Sequence, residues 1–135
     1  CQELFQVRRI INEANQRKPY SVLMCINGHF HRDFIRILDN VCYFELNSTS
    51  FDYLDYAHDL YPEELTKEFS LLCHTVVYND PIHAIITLEG NTITIEGMES
   101  SMFMGINREH TKNSLWDSVG RPVVPKVQSA KITLG

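Results

Sequence analysis

The chain has 135 residues, 44% of them hydrophobic, and a formal net charge of -5. It is long enough to bury one core and too short for a second independent domain. The acidic balance argues against a nucleic-acid or anionic-membrane surface, since counterion release needs a clustered basic face. No apolar run approaches the ~20 residues that cross a bilayer, and no basic stretch with a small-residue cleavage site opens the sequence.

The four cysteines, Cys1, Cys25, Cys42 and Cys73, contain no Cys-x-x-Cys pair. That is the usage of reduced structural thiols, and a soluble chain of the cytoplasm is expected. Cys1 stands where a translated chain has Met and runs directly into helical sequence. A longer parent from which upstream residues have been removed is expected. A lipid-modified cysteine would want a flexible polar tether instead of Gln2-Glu3-Leu4-Phe5.

Leu4, Val7, Ile10, Ile11 and Ala14 recur at helical spacing and predict a helix over about residues 2–17 with one apolar stripe, ended by Lys18-Pro19. Val22 to Ile26 is a continuous apolar run, the pattern of a central strand covered on both faces. It is followed by Gly28-His29-Phe30-His31. In extended backbone, residues two apart point to one side with ~7 Å between Cα atoms. Both imidazoles can therefore converge on one metal or reach two neighbouring ones, and Gly28 is expected to permit the sharp exit from the strand. The carboxyl end of a buried strand is also where ligand sites gather in layered α/β folds. A pair of surface or capping histidines is the bland alternative.

A hairpin is predicted next, with Phe34 to Leu38 and Val41 to Leu46 joined by Asp39-Asn40. It pairs Ile35 with Phe44 and Ile37 with Cys42 on one face, and Arg36 with Tyr43 and Phe34 with Glu45 on the other. Arg32-Asp33 reads as a salt-bridging pair opening the strand, with contacts behind the histidines as the alternative. From Asn47 to Tyr61 the pattern loosens into a loop in which Phe51, Tyr53, Tyr56 and Tyr61 anchor to the core, a substrate platform being the lesser reading. Asn47-Ser48-Thr49 matches a glycosylation acceptor by chance.

Pro62, Glu63 and Glu64 open a short helix presenting Leu65, Phe69 and Leu72 on one side. Strands are predicted at Thr75 to Tyr78, Ile82 to Leu88 and Thr92 to Glu96, the last two placing Leu88 with Ile93 and Ile86 with Ile95 on a buried face. Met98, Met102, Phe103 and Met104 form a loop whose methionines fill gaps. Trp116, Pro122 to Pro125 and a strand candidate at Lys126 to Leu134 follow.

Helix, apolar strand, Asn27-Gly28-His29-Phe30-His31 and an immediate hairpin together resemble the last motif of the calcineurin-like metallophosphoesterases. In that family a Gly-His-x-His loop closes a site holding two divalent metals. The resemblance implies an α+β, β-rich fold. This would be the carboxyl-terminal part of a layered αββα sandwich, mostly hairpins with two short-to-medium helices, over residues 1–97. Residues 98–135 would be an appended loop and final strand packing on the same unit. It also implies that His29 ligates one metal and His31 the other, that the metals are Mn, Fe or Zn, and that the parent hydrolyses a phosphoester.

The family's Asp-x-His, bridging Gly-Asp and Gly-Asn-His are all missing here, and the one Gly-Asn, Gly90-Asn91, continues with Thr92 in a hairpin turn. His58, His74, His83 and His110 have no family counterpart. Two ligands alone do not hold a catalytic metal pair, so the fragment by itself is expected to be inactive and at most weakly metal-bound. A cupin barrel is disfavoured: Ile35 and Arg36 stand where it wants a glutamate, and Leu23 where it wants a glycine. The remaining alternative is a non-catalytic interaction or oligomerisation module, self-associating through exposed strand edges.

Overall fold

The computed structural model describes residues 2–111 and 122–135, with side chains from Phe5 onward. Cys1, Trp116 and the side chain of Leu4 lie outside the described residues. The fold is α+β and rich in strand, with three small sheets.

Helix α1 (Gln2–Arg17) forms where the apolar spacing predicts it, but it does not face the way the spacing suggests. Ile11 is buried, whereas Val7 and Ile10 are more than half exposed. The contacts to the body of the protein are polar. Arg8 Nη2 and Asn12 Nδ2 donate to Asp39 Oδ2 at 2.8 and 3.2 Å, and the Asn15 amide exchanges two hydrogen bonds with the Val22 backbone. The hydrogen-bonding demand of these side chains orients the helix and leaves much of its apolar stripe outside.

The first sheet contains β1 (Met24–Asn27), β2 (Phe34–Leu38) and β3 (Val41–Glu45) in the order β1-β3-β2. The β2/β3 hairpin has the expected register, with Ile35 opposite Phe44, Ile37 opposite Cys42, Arg36 opposite Tyr43 and Phe34 opposite Glu45. Its two-residue turn places Asp39 at φ 51° and Asn40 at φ 58°. This is the type I′ geometry that matches strand twist and that Asn and Asp tolerate.

Strand β1 pairs with β3 in parallel. The central strand is β3, with Val41, Cys42 and Phe44 fully buried, while β1 stands at the edge with Ile26 54% exposed. Among the described residues β1 is thus an edge strand, not the central one its apolar run predicts, and Ile26 is not covered.

Strands β4 (Phe51–Tyr53) and β5 (Thr75–Val77) pair antiparallel. The sequence predicts a loop over Phe51–Tyr53, because three residues are too few for a period to declare itself. Between them, the short helix α2 (Glu63–Glu68) starts after Pro62, and Leu65 and Leu72 are half-buried while Phe69 is exposed. Tyr61 Oη accepts from the Val77 N–H and donates to the Thr75 carbonyl, each at 3.2 Å, tying the intervening segment to β5.

The third sheet has the order β6 (Ala84–Glu89), β7 (Thr92–Gly97), β8 (Ala130–Thr133). Leu88 meets Ile93 and Ile86 meets Ile95, as expected. Ile93 and Ile95 on the central strand are buried, but Leu88 at the end of the edge strand is more than half exposed. A third, four-residue helix α3 (Arg108–Thr111) follows the methionine loop. Within that loop Met102 fills the core, while Met98 and Met104 are exposed.

Residues 122–128 join the sheets. A Cβ on Gly97 would stand 2.0 Å from the Val127 carbonyl oxygen, so the two backbones approach as only glycine permits. The Val127 N–H donates to Met98 O at 2.8 Å. The buried Asn47 amide donates to Val124 O and Lys126 O at 2.9 and 3.1 Å, and its oxygen accepts from Ser48 N and Tyr78 Oη. Fully engaged and 6% exposed, Asn47 is a structural pin unavailable to a glycosylating enzyme.

Core residues from all three sheets, among them Phe44, Val76, Ile93 and Ile95, form one cluster with Val123, Val127 and Leu134. Among the described residues no helix is long and apolar enough to cross a membrane, and Cys25, Cys42 and Cys73 are free thiols.

Candidate metal centre

His29 and His31 follow β1 directly and line the same open cavity of about 380 Å³ with Gly28, Leu46 and Asn47. The backbone that presents them is not the extended segment predicted from spacing. His29 has φ 91° and His31 φ 52°, while Gly28 is not in the left-handed region. An alanine Cβ at Gly28 would meet only Leu46 O, at an ordinary 3.8 Å. The conformational burden assigned to the glycine is thus carried by the histidines. Positive φ costs an L-residue on the order of 1–2 kcal/mol, and such conformations gather at functional sites.

The two rings have different surroundings. His29 is exposed, and its neighbour in ring contact is Phe30, itself 72% exposed. His31 is gripped. Its ring stacks on Tyr53 at 5.0 Å with an interplanar angle of 22° and meets Phe51 edge-on, also at 5.0 Å. Its side chain is 17% exposed and its Nδ1 lies 4.0 Å from Asp52 Oδ1. That nitrogen is buried and has no hydrogen-bond partner. Burial holds the His31 pKa below the ordinary imidazole value; the Phe51 backbone raises it, and the charges of His29 and Arg32 lower it further. The neutral ring, the form that binds metals, is favoured.

Asp52 is 3% exposed and compensated in place. Arg32 Nη1 donates to Asp52 Oδ2 at 2.6 Å, and the Tyr53 N–H donates to Oδ1 at 2.8 Å. The Arg32-Asp33 pair expected from sequence does not form. Arg32 turns to Asp52, and Asp33 Oδ2 accepts from the Gln128 N–H at 2.7 Å. Desolvation pushes the Asp33 carboxyl above its usual range, against the hydrogen bonds from Gln128 and the charge of Lys126. His31, Arg32, Asp33, Asn47, Val124 and Lys126 enclose a second cavity of about 240 Å³.

Sequence reasoning missed Asp52, Phe51 and Tyr53, the three residues that hold His31. The available signal was the Phe-Asp-Tyr alternation, which places a carboxylate between two aromatics that share the opposite direction.

As a donor set the site is partial. Two imidazoles suit Fe or Zn, whereas Mn would want further oxygen donors, and the carboxylate behind His31 suits a metal-ligating ring. Yet no group of three or more His, Cys, Asp or Glu residues able to hold a metal occurs among the described residues. Of the other histidines, His58 lies against Asp59 at 2.9 Å and His110 Nδ1 accepts from the Asn107 N–H at 3.0 Å. No family model, curated protein or solved structure matches the chain.

Proposed function

We propose that this chain is the carboxyl-terminal portion of a calcineurin-like metallophosphoesterase and supplies two histidine ligands, His29 and His31, to a binuclear centre. Its remaining donors, the bridging aspartate among them, belong to the parent protein. The observation that supports this reading is that both histidines line one open cavity, with His31 desolvated, caged by two aromatic rings and backed by a buried carboxylate. A surface or capping histidine requires none of this.

Two divalent metals ~3.5–4 Å apart polarise a phosphoryl oxygen and stabilise in-line displacement at phosphorus. In this chain the residues do the holding. Asp52 and Arg32 form a compensated buried pair, Phe51 and Tyr53 hold the His31 ring, and the backbone at residues 29 and 31 is left-handed. The free thiols support placement in the reducing cytoplasm. With two of the required donors, the isolated chain is inactive.

The intact parent is expected to contain stoichiometric Mn, Fe or Zn by elemental analysis, lost on His31→Ala together with phosphoesterase activity. A metal-free parent, or one whose sequence lacks Asp-x-His and Gly-Asn-His, overturns the assignment. The second reading, a non-catalytic contact module, is favoured by the exposure of Ile26 and Phe30 beside the histidines. It predicts unchanged self-association and no metal in the same measurements.

A further inference from the structure

We propose that Asp52 is a positioning residue for His31: its buried carboxylate holds the ring in the Nδ1-protonated form, which leaves the Nε2 lone pair for a ligand in the cavity shared with His29. The assignment of that ligand as a metal rests on the function proposed above; the positioning role stands on this chain's own geometry.

Four observations converge on it. His31 Nδ1 is buried and makes no hydrogen bond of normal geometry, burial outweighing the Phe51 backbone in the ring's surroundings, and a buried N–H left unsatisfied is costly. The neighbouring carboxylate oxygen, Asp52 Oδ1, is 4.0 Å away, and a closure of about 1 Å brings the pair to normal hydrogen-bond distance. Asp52 cannot swing away, because Arg32 Nη1 at 2.6 Å and the Tyr53 N–H at 2.8 Å fix both oxygens. The rings of Phe51 and Tyr53 stand against two sides of the imidazole and restrict its rotation.

The consecutive residues Phe51, Asp52 and Tyr53 thus act together, the outer two through contact and the middle one through charge. Pairing β4 with β5, in the register Asp52 opposite Val76, anchors the tripeptide to the core. A carboxylate merely neutralising Arg32 would have no need of a second buried polar neighbour, yet its Oδ1 lies 4.0 Å from the unbonded imidazole nitrogen. An imidazole with one nitrogen protonated and held is a more basic and better-aimed ligand through the other.

The test is the tautomer of His31 in the metal-free 135-residue chain, read by long-range ¹H–¹⁵N correlation above the titration range of the ring and assigned by its absence in His31→Gln. The wild-type chain is expected to show the Nδ1–H form in majority. Asp52→Asn is expected to shift the ring toward the Nε2–H form that is ordinary in water, and Asp52→Glu to restore part of the wild-type ratio. An Nε2–H majority in the wild-type chain, or a ratio unchanged in Asp52→Asn, overturns the proposal. The wild-type measurement alone decides if the variant fails to fold.

A Zn²⁺ titration of the same proteins separates the two readings. A roughly 10–100-fold weaker association in Asp52→Asn, the usual effect of removing such a partner, supports positioning of a metal ligand. A tautomer shift with Zn²⁺ binding indifferent to His31→Gln leaves the positioning role intact and refutes the metal assignment.

Discussion

At the scale of single residues, the histidine pair is paid for in backbone conformation. His29→Gly removes a side chain from φ 91° and is expected to raise stability by up to ~1 kcal/mol, the relief of left-handed backbone less the extra freedom of an unfolded glycine. Gly28→Ala is expected to be near neutral, since its φ is not left-handed and its Cβ has room. Urea denaturation of both variants checks the contrast, and a destabilised His29→Gly would show that the ring's contacts outweigh the backbone cost.

His31 also predicts a pH dependence. Its folded pKa is depressed, so the unfolded chain takes up the proton first as pH falls. The stability contributed by keeping this ring neutral is complete above the ordinary imidazole range and is lost as pH drops through that range to the lower folded value. Replacing it, as in His31→Gln, is expected to flatten the stability profile across this window, measured by denaturant midpoints at a series of pH values.

At the scale of elements, the close passage of β7 under residues 126–128 fixes how the third sheet meets the first. In Gly97→Ala the new methyl would lie 2.0 Å from one backbone carbonyl and 2.8 Å from the next, at Gln128. Neither neighbour can rotate aside as a side chain would. A loss of at least ~3 kcal/mol is expected, within the range of severe backbone clashes, and thermal denaturation will show it as a large fall in Tm.

The same scale shows what could be read from sequence and what could not. Both hairpin registers were legible because short turns and period-two patterns are local information. The direction of α1 was not, because Arg8, Asn12 and Asn15 find their partners at Asp39 and Val22 only after the sheet exists. The candidate site divides in the same way. His29 and His31 announce themselves by spacing, whereas Asp52 is joined to them by a contact across 20 residues to Arg32, which no local period encodes.

At the scale of the molecule, apolar surface remains uncovered. Phe5, Val7 and Ile10 of α1, together with Ile26 on β1 and the neighbouring Phe30, are each more than half exposed. Among the described residues β1 has a strand on one side only. Open edges with apolar side chains favour association, against which a net charge of -5 provides weak repulsion. Concentration-dependent association of the 135-residue chain is expected in sedimentation equilibrium. Ile26→Lys on the edge strand is expected to weaken it, and an unchanged monomer at all concentrations would show that this surface does not attract its own kind.

The pin at Asn47 carries a consequence for the order in which the protein is made. The cavity beside His31 has walls from residues 31–33 and from Val124 and Lys126, joined by hydrogen bonds spanning 77 to 95 positions in the chain. Contacts so distant in sequence form late, and on the ribosome they cannot form until residue 128 has left the exit tunnel. His31 therefore emerges long before its enclosure. Until then the nascent chain presents this imidazole as openly to solvent as its neighbour His29 stays in the finished fold.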